Sequence, residues 1–395
     1  MNAAERTFTN VGRMWLQQAL SLPNTESPFP WQENLLLRMR DGEIPEVVDI
    51  PTGLGKTAVM AVWLVARALG ALLPRRLVYV VDRRAVVDQA TEVAESLCAW
   101  VARERGVAEA AGIGDRPLPI STLRGQHVDN RAWIEDPSSP AIVVGTVDMV
   151  GSRLLFSGYG VSSKMRPYHA GLLGADTLVV LDEAHLVPAF EDLLRQVERG
   201  AKAFGPKEPS LRALVPPFKL LSLSATGRQT DATMLTLSDD DRSNPIVKKR
   251  LTAKKALSIV DLAHVAEGTA TPDDGRNADG ADQATKKNIG PKLADVLANQ
   301  AWQLSAQGDK VRCLVFCHAR KDAIAVAAAL RNLAKSADAN EPTIELFVGG
   351  RRVKERTQAR DALARLGFLA GTAVNLERSA FLIATSAGEV GVDLD

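Results

Sequence analysis

The chain has 395 residues, of which 46% are hydrophobic and 24% charged. That is globular composition, enough for roughly two to three domains, and it excludes a mainly disordered chain. Lys and Arg total 48 against 47 Asp and Glu, a formal net charge of +1, so any nucleic-acid contact would need a local basic groove rather than bulk charge.

Residues 1–10, MNAAERTFTN, lack the apolar core of a signal peptide. The longest apolar stretch, Ala58–Leu73, is broken by Arg67 and falls short of the roughly 20 residues that span a membrane. Cys98, Cys313 and Cys317 are too few for a disulfide framework. The last two sit in one apolar run with no partner pair, which favours buried thiols over a zinc site. A soluble protein of a reducing, cytoplasmic compartment, with no membrane contact, is the expectation.

Six short runs rich in Val, Leu and Ile follow in order: Leu77–Asp82, Ala141–Thr146, Thr177–Asp182, Leu220–Ser224, Cys313–Cys317 and Phe381–Thr385. Little alternation within them predicts strands buried on both faces of a parallel sheet. Helical patterns at Thr57–Leu73, Ala85–Arg103 and Lys321–Ala337 lie between several of them, giving an α/β fold with crossover connections. From Ala266 to Gly290 the sequence is polar and rich in Gly, Asp and Ala, and reads as a flexible insertion near the start of a second domain. The division expected is 1–243 and 244–395. The second domain has about half the elements of a complete sheet, so the chain reads as truncated.

In such folds ligands gather at the carboxyl ends of strands, and the motifs fall there. Val47-Val48 runs into Asp49-Ile50-Pro51-Thr52-Gly53-Leu54-Gly55-Lys56-Thr57, which opens a helix. Thr52, Gly53 and Gly55 allow backbone N–H groups to curl around phosphate oxygens, with the helix N-terminus adding its dipole. Lys56 would reach the β- and γ-phosphates of ATP, and the Thr57 hydroxyl would sit on Mg²⁺. Ile50 stands where the general pattern has its first glycine, and a plain glycine turn before a buried helix is the competing reading.

Downstream, Leu178–Leu181 ends in Asp182-Glu183-Ala184-His185. Asp182 would hold Mg²⁺, Glu183 would orient or deprotonate the attacking water, and His185 would join them. Alone, such an acidic pair could be a helix N-cap; the phosphate loop upstream favours catalysis. A third piece, Leu221–Thr226, ends in hydroxyls, and Ser224 and Thr226 could couple to His185 or else cap a helix.

The order of these motifs resembles superfamily 2 helicases, a family built on two RecA-like parallel-sheet domains. That resemblance implies tandem RecA-like domains here, the second incomplete. Phe29-Pro30-Trp31-Gln32 resembles the family's adenine-reading segment, with Gln32 offering a donor and an acceptor. More narrowly, Tyr79–Gln89, Gly145–Gly160, Val315–Arg320, Phe347–Arg356 and Ala384–Asp393 are similar to segments of the CRISPR-associated helicase of type I interference systems, nearest the subtype with a C-terminal nuclease domain. The resemblance implies ATP-driven movement on single-stranded DNA, a CRISPR RNA-guided surveillance complex as partner, and a histidine–aspartate (HD) nuclease, separate or missing. Arg83, Arg84, Arg124, Thr146, Arg320 and Thr385 would meet nucleic acid, each arginine alternatively being a solvated charge. Gly391 and Asp393 would meet the nucleotide. The arginine-bearing sixth motif would lie beyond Asp395, so efficient turnover is in question. A general RNA or repair helicase, or a fragment that binds ATP without turnover, are the alternatives.

Overall fold

The computed structural model describes residues 3–124, 127–128, 132–225, 233–254, 256–259, 293–306, 310–336, 342–348, 358, 361–369 and 374–385. The chain divides into two compact units, Met1–Ala253 and Lys254–Asp395.

In the first unit the strands are β1 Val47–Asp49, β2 Arg76–Val81, β3 Ile120–Arg124, β4 His127–Val128, β5 Ala141–Thr146, β6 Thr177–Leu181, β7 Lys219–Ser224 and β8 Met234–Thr236. They form one sheet in the order β4-β3-β5-β2-β6-β7-β1-β8. All neighbours pair parallel except β4, which folds back antiparallel on β3. Every residue of β2, β5 and β6 is buried, as continuous apolar runs require when helices cover both faces. The helix Val59–Ala68 is buried on nearly every side, and the Trp63 indole N–H inside it donates to Pro74 O at 2.9 Å.

One buried basic side chain at the amino edge of the sheet, Arg76, is satisfied locally. The Arg75 backbone N–H donates to Asp176 Oδ1 at 2.8 Å, while the Arg76 guanidinium donates to Leu172 O, Pro137 O and Ala175 O. Burial pushes the Asp176 carboxyl up, against the pull of the Arg75 N–H and the neighbouring guanidiniums. This edge is structural. The carboxyl edge, where β1, β2, β5, β6 and β7 all end, is left for chemistry.

Residues 244–253 fold within the first unit. The Asn244 side chain caps the helix Pro245–Leu251, accepting from Ile246 and Val247, and Val247 is buried.

The second unit contains β9 Arg312–Phe316, β10 Thr343–Phe347 and β11 Ala380–Ala384, all parallel in the order β10-β11-β9. Helices Leu293–Ala306 and Arg320–Ser336 supply Ala298, Val326 and Leu330 to a core with Cys313, Val315, Cys317, Phe381 and Ile383. β9 differs from the expected two-sided burial: Leu314 and Phe316 are 37% and 45% exposed, on the face opposite Cys313 and Val315, where Leu363 and Phe368 pack against Ala380 and Leu382 of the neighbouring β11. The expected insertion 266–290 lies outside the described residues. Among the described residues, no helix is long and apolar enough to cross a membrane.

Candidate active site

The loop after β1 is fixed from below. Ile50, fully buried, donates its N–H to Ser224 O at 3.0 Å, and Leu54 is buried with its carbonyl accepting the Trp31 indole N–H at 3.2 Å. Between these anchors Gly53 and Gly55 take φ of +77° and +71°, a left-handed backbone that costs any other L-residue energy. A short 3₁₀ turn, Lys56–Ala58, then leads into the helix Val59–Ala68. The expected single helix from Thr57 therefore starts with a tighter turn and ends at Ala68.

Gln32 is 4% exposed. Its Oε1 accepts the Phe29 N–H at 2.9 Å and its Nε2 donates to Gly55 O at 3.4 Å. Arg250, from the helix Pro245–Leu251, donates to Gly53 O. Thr52 is exposed beside them.

The acidic pair stands opposite. Lys56 Nζ donates to Glu183 Oε1 at 2.7 Å, with side chains only 8% and 17% exposed. Glu183 itself has φ +46°, ψ +49°, an uncommon conformation for a residue with a Cβ. Its N–H donates to Asp182 Oδ1 at 3.0 Å, while the Tyr79 hydroxyl donates to Asp182 Oδ2 at 2.9 Å. His185 Nδ1 lies 3.4 Å from Glu183 Oε2. Burial pushes the Asp182 carboxyl up, Lys56 draws it back, and Glu183 adds to the rise. Burial first, then Asp182, holds the Tyr79 phenol well above its ordinary value, so it stays a neutral donor.

Behind the pair lies a polar network. Ser222 donates to Glu191 Oε1 at 2.7 Å, and Arg195 Nη2 donates to Glu46 O at 3.0 Å and Ser222 Oγ at 3.1 Å. Ser224 is buried at the end of β7, in register with Asp49.

The nucleic-acid candidates are dispersed. Arg83 pairs with Asp82 at 3.5 Å, and Arg84 opens the helix Arg84–Arg103. Arg124 ends β3. Thr146 is buried and caps the next helix by accepting the Met149 N–H at 3.4 Å. Arg320 is exposed at the start of its helix, and Thr385 is buried after β11. Thr226, Gly391 and Asp393 lie outside the described residues.

Sequence reading missed Tyr79, Asp241, Arg195 and Arg250. Tyr79 had a signal: it is the one polar side chain inside the apolar run Leu77–Val81.

A parallel sheet carrying a glycine loop, a lysine and an acidic pair at its carboxyl edge defines a phosphate-loop protein of the α/β class. Residues 29–234, just over half the 395-residue chain, match the family described as DEAD/DEAH box helicase. The chain belongs to that family. Its fold is similar to that of the Mycobacterium smegmatis helicase Lhr bound to ssDNA and AMP-PNP, at TM-score 0.54 and 19% identity over 98% of this chain and 42% of that one. The DUF1998 helicase MrfA bound to DNA gives 0.52 and 17%, over 96% and 45%. Mss116p bound to ssRNA and AMP-PNP gives 0.54 and 14%, over 99% and 66%. The likeness is one of fold, RecA-like α/β. The chain spans less than half the length of the Lhr and MrfA chains. No curated protein matches the sequence.

Proposed function

We propose that this chain is the motor part of an ATP-dependent helicase that moves along single-stranded DNA in CRISPR type I interference. The observation that carries the ATPase reading is the joining of Lys56, Glu183, Asp182 and Tyr79 at one edge of the sheet. The loop 52–57 would wrap the phosphates with its N–H groups, and Lys56 would exchange Glu183 for phosphate oxygen. Glu183, freed of that lysine, would take the proton of the attacking water, with His185 on its other oxygen. Gln32, already against the loop, would read adenine by its amide.

Thr57 and Asp182 offer hard oxygen donors that suit Mg²⁺. When bound, the ion supplies charge neutralisation on the transferred phosphate. Thr57 and Asp182 would hold it, and Tyr79 keeps one Asp182 oxygen in place.

The DNA substrate is supported by the structures of Lhr and MrfA, both bound to DNA. The CRISPR role, the surveillance complex, an HD nuclease supplied elsewhere and a cytoplasmic setting rest on the resemblance of Tyr79–Gln89, Gly145–Gly160 and Ala384–Asp393. Arg83, Arg84, Arg124, Arg320, Thr146 and Thr385 remain the candidate contacts to the strand, with Ser224 and Thr226 coupling it to the nucleotide. Gly391 and Asp393 would complete the nucleotide contacts. A second reading, an RNA helicase, is supported by an equal fold likeness to Mss116p bound to ssRNA.

ATP hydrolysis by the 395-residue chain with single-stranded DNA, with RNA and with neither, beside Lys56→Ala, tests this. DNA-stimulated turnover lost in the variant supports the motor. Stimulation by RNA alone selects the second reading. Binding without turnover makes the chain an ATP-binding fragment.

A further inference from the structure

Tyr79 is out of place by packing alone. It sits in the middle of β2, between Val144 of β5 and Val180 of β6, and is 1% exposed among apolar neighbours. A valine or isoleucine would fill such a position in a parallel sheet. A buried hydroxyl is costly unless it is hydrogen-bonded, and this one is bonded to the site.

The phenol donates to Asp182 Oδ2 at 2.9 Å, and the Glu183 N–H donates to Asp182 Oδ1 at 3.0 Å. Each carboxylate oxygen is therefore held by one donor, which fixes the plane of the carboxylate. Two oxygens offer about four lone-pair directions, so the pair of donors leaves acceptor capacity free for a cation. The Tyr79 hydroxyl on β2 thus holds one of the side chains that would bind the cation, Asp182 at the end of β6.

We infer that Tyr79 is a positioning residue, whose hydroxyl orients the Asp182 carboxylate for a divalent cation bound with nucleotide. The inference rests on the nucleotide reading above. It predicts that Tyr79 acts on the cation-dependent part of nucleotide affinity and not on nucleotide binding in general.

The test is binding of a fluorescent ADP analogue, with Mg²⁺ and with EDTA, to the wild type, Tyr79→Phe, Asp182→Asn and the double variant. Tyr79→Phe keeps the ring and removes only the hydroxyl. Its affinity in EDTA should match the wild type within about twofold, while the Mg²⁺ enhancement should fall about threefold to tenfold, the range for one net hydrogen bond. In the Asp182→Asn background the same change should have no further effect. An unchanged enhancement, an equal loss with and without Mg²⁺, or additive effects in the double variant would each overturn the role. No binding by the wild type would overturn the nucleotide reading and this inference with it.

Should Tyr79→Phe fail to fold, the hydroxyl is read in place. The chain has three tyrosines, and the other two, Tyr159 and Tyr168, are 60% and 38% exposed. In Tyr159→Phe/Tyr168→Phe labelled with ¹³Cζ-tyrosine, the single remaining resonance should move when Mg²⁺ is added to the ADP-bound chain. A stationary resonance sinks the proposal.

Discussion

Lys56 Nζ and Glu183 Oε1 stand 2.7 Å apart across the mouth of the site, joining residues 127 positions apart in the chain. Each group holds the other in a pocket from which most water is excluded, and each has the charge the other needs. Under the proposed function, phosphate arriving at the loop would offer Lys56 a competing anion and release Glu183.

Lys56→Ala should therefore weaken binding of a fluorescent ATP analogue by about 10–100-fold, since a hydrogen bond to a charged group contributes about 1.5–3 kcal/mol. Fluorescence titration reads this directly. Unaltered affinity would remove Lys56 from the phosphate site.

Glu183→Gln retains the size of the side chain and neutralises it. Nucleotide affinity should stay within a few-fold of wild type, while single-turnover hydrolysis should slow by about 10²–10⁴, the usual contribution of a general base. Rapid-quench assays with excess enzyme separate the two effects. Loss of binding together with turnover would give Glu183 a structural role instead.

Asp241 is 1% exposed and ties the start of the chain to the end of the first unit. It accepts from the Trp31 N–H at 2.8 Å, the Ser238 N–H at 2.9 Å and the Ser238 hydroxyl at 2.7 Å. Asp241→Ala strands those donors in a dry interior and should cost about 2–4 kcal/mol of stability. A fall in the urea midpoint measures it, and an unmoved midpoint would show that water replaces the carboxylate.

Asp182 supplies a pH dependence with a definite sign. Its carboxyl is raised above the ordinary value, chiefly by burial, so the folded chain binds that proton more tightly than the unfolded chain. The corresponding stability is present below the ordinary carboxylate range and is lost as pH rises through the raised folded value. Asp182→Asn cannot titrate there. The Tm difference, wild type minus variant, should increase as pH is lowered through that window, and thermal melts at matched ionic strength check the direction. A difference independent of pH would contradict it.

The central strands and the loop were legible because their signals are local. Val47-Val48 before a glycine loop, and Leu178–Leu181 before Asp182-Glu183, each state strand, turn and ligand group within about ten residues. β10, with the sequence Thr-Ile-Glu-Leu-Phe, was not read as a strand. Its polar positions break the continuous apolar run, and pairing with β11 makes it a strand. The partner of Tyr79 was hidden for a related reason. Asp182 is 103 residues away, and the β2–β6 register brings the two together. Arg250 carries no motif at all, and its place beside Gly53 follows from how the helix Pro245–Leu251 packs, capped by Asn244 and seated on Val247.

The Arg195 guanidinium has a mechanical consequence. It grips the Glu46 carbonyl just ahead of β1 and the Ser222 hydroxyl on β7, and it belongs to the helix Pro188–Phe204 that follows the acidic pair. Glu191 closes the loop from the same helix onto Ser222. The segment leading into β1, the third motif strand and the helix behind the acids are thereby cross-braced. A brace of this kind removes compliance: a displacement started at the loop passes to the long helix as translation of a stiff frame, and little of the work is dissipated in bending the sheet.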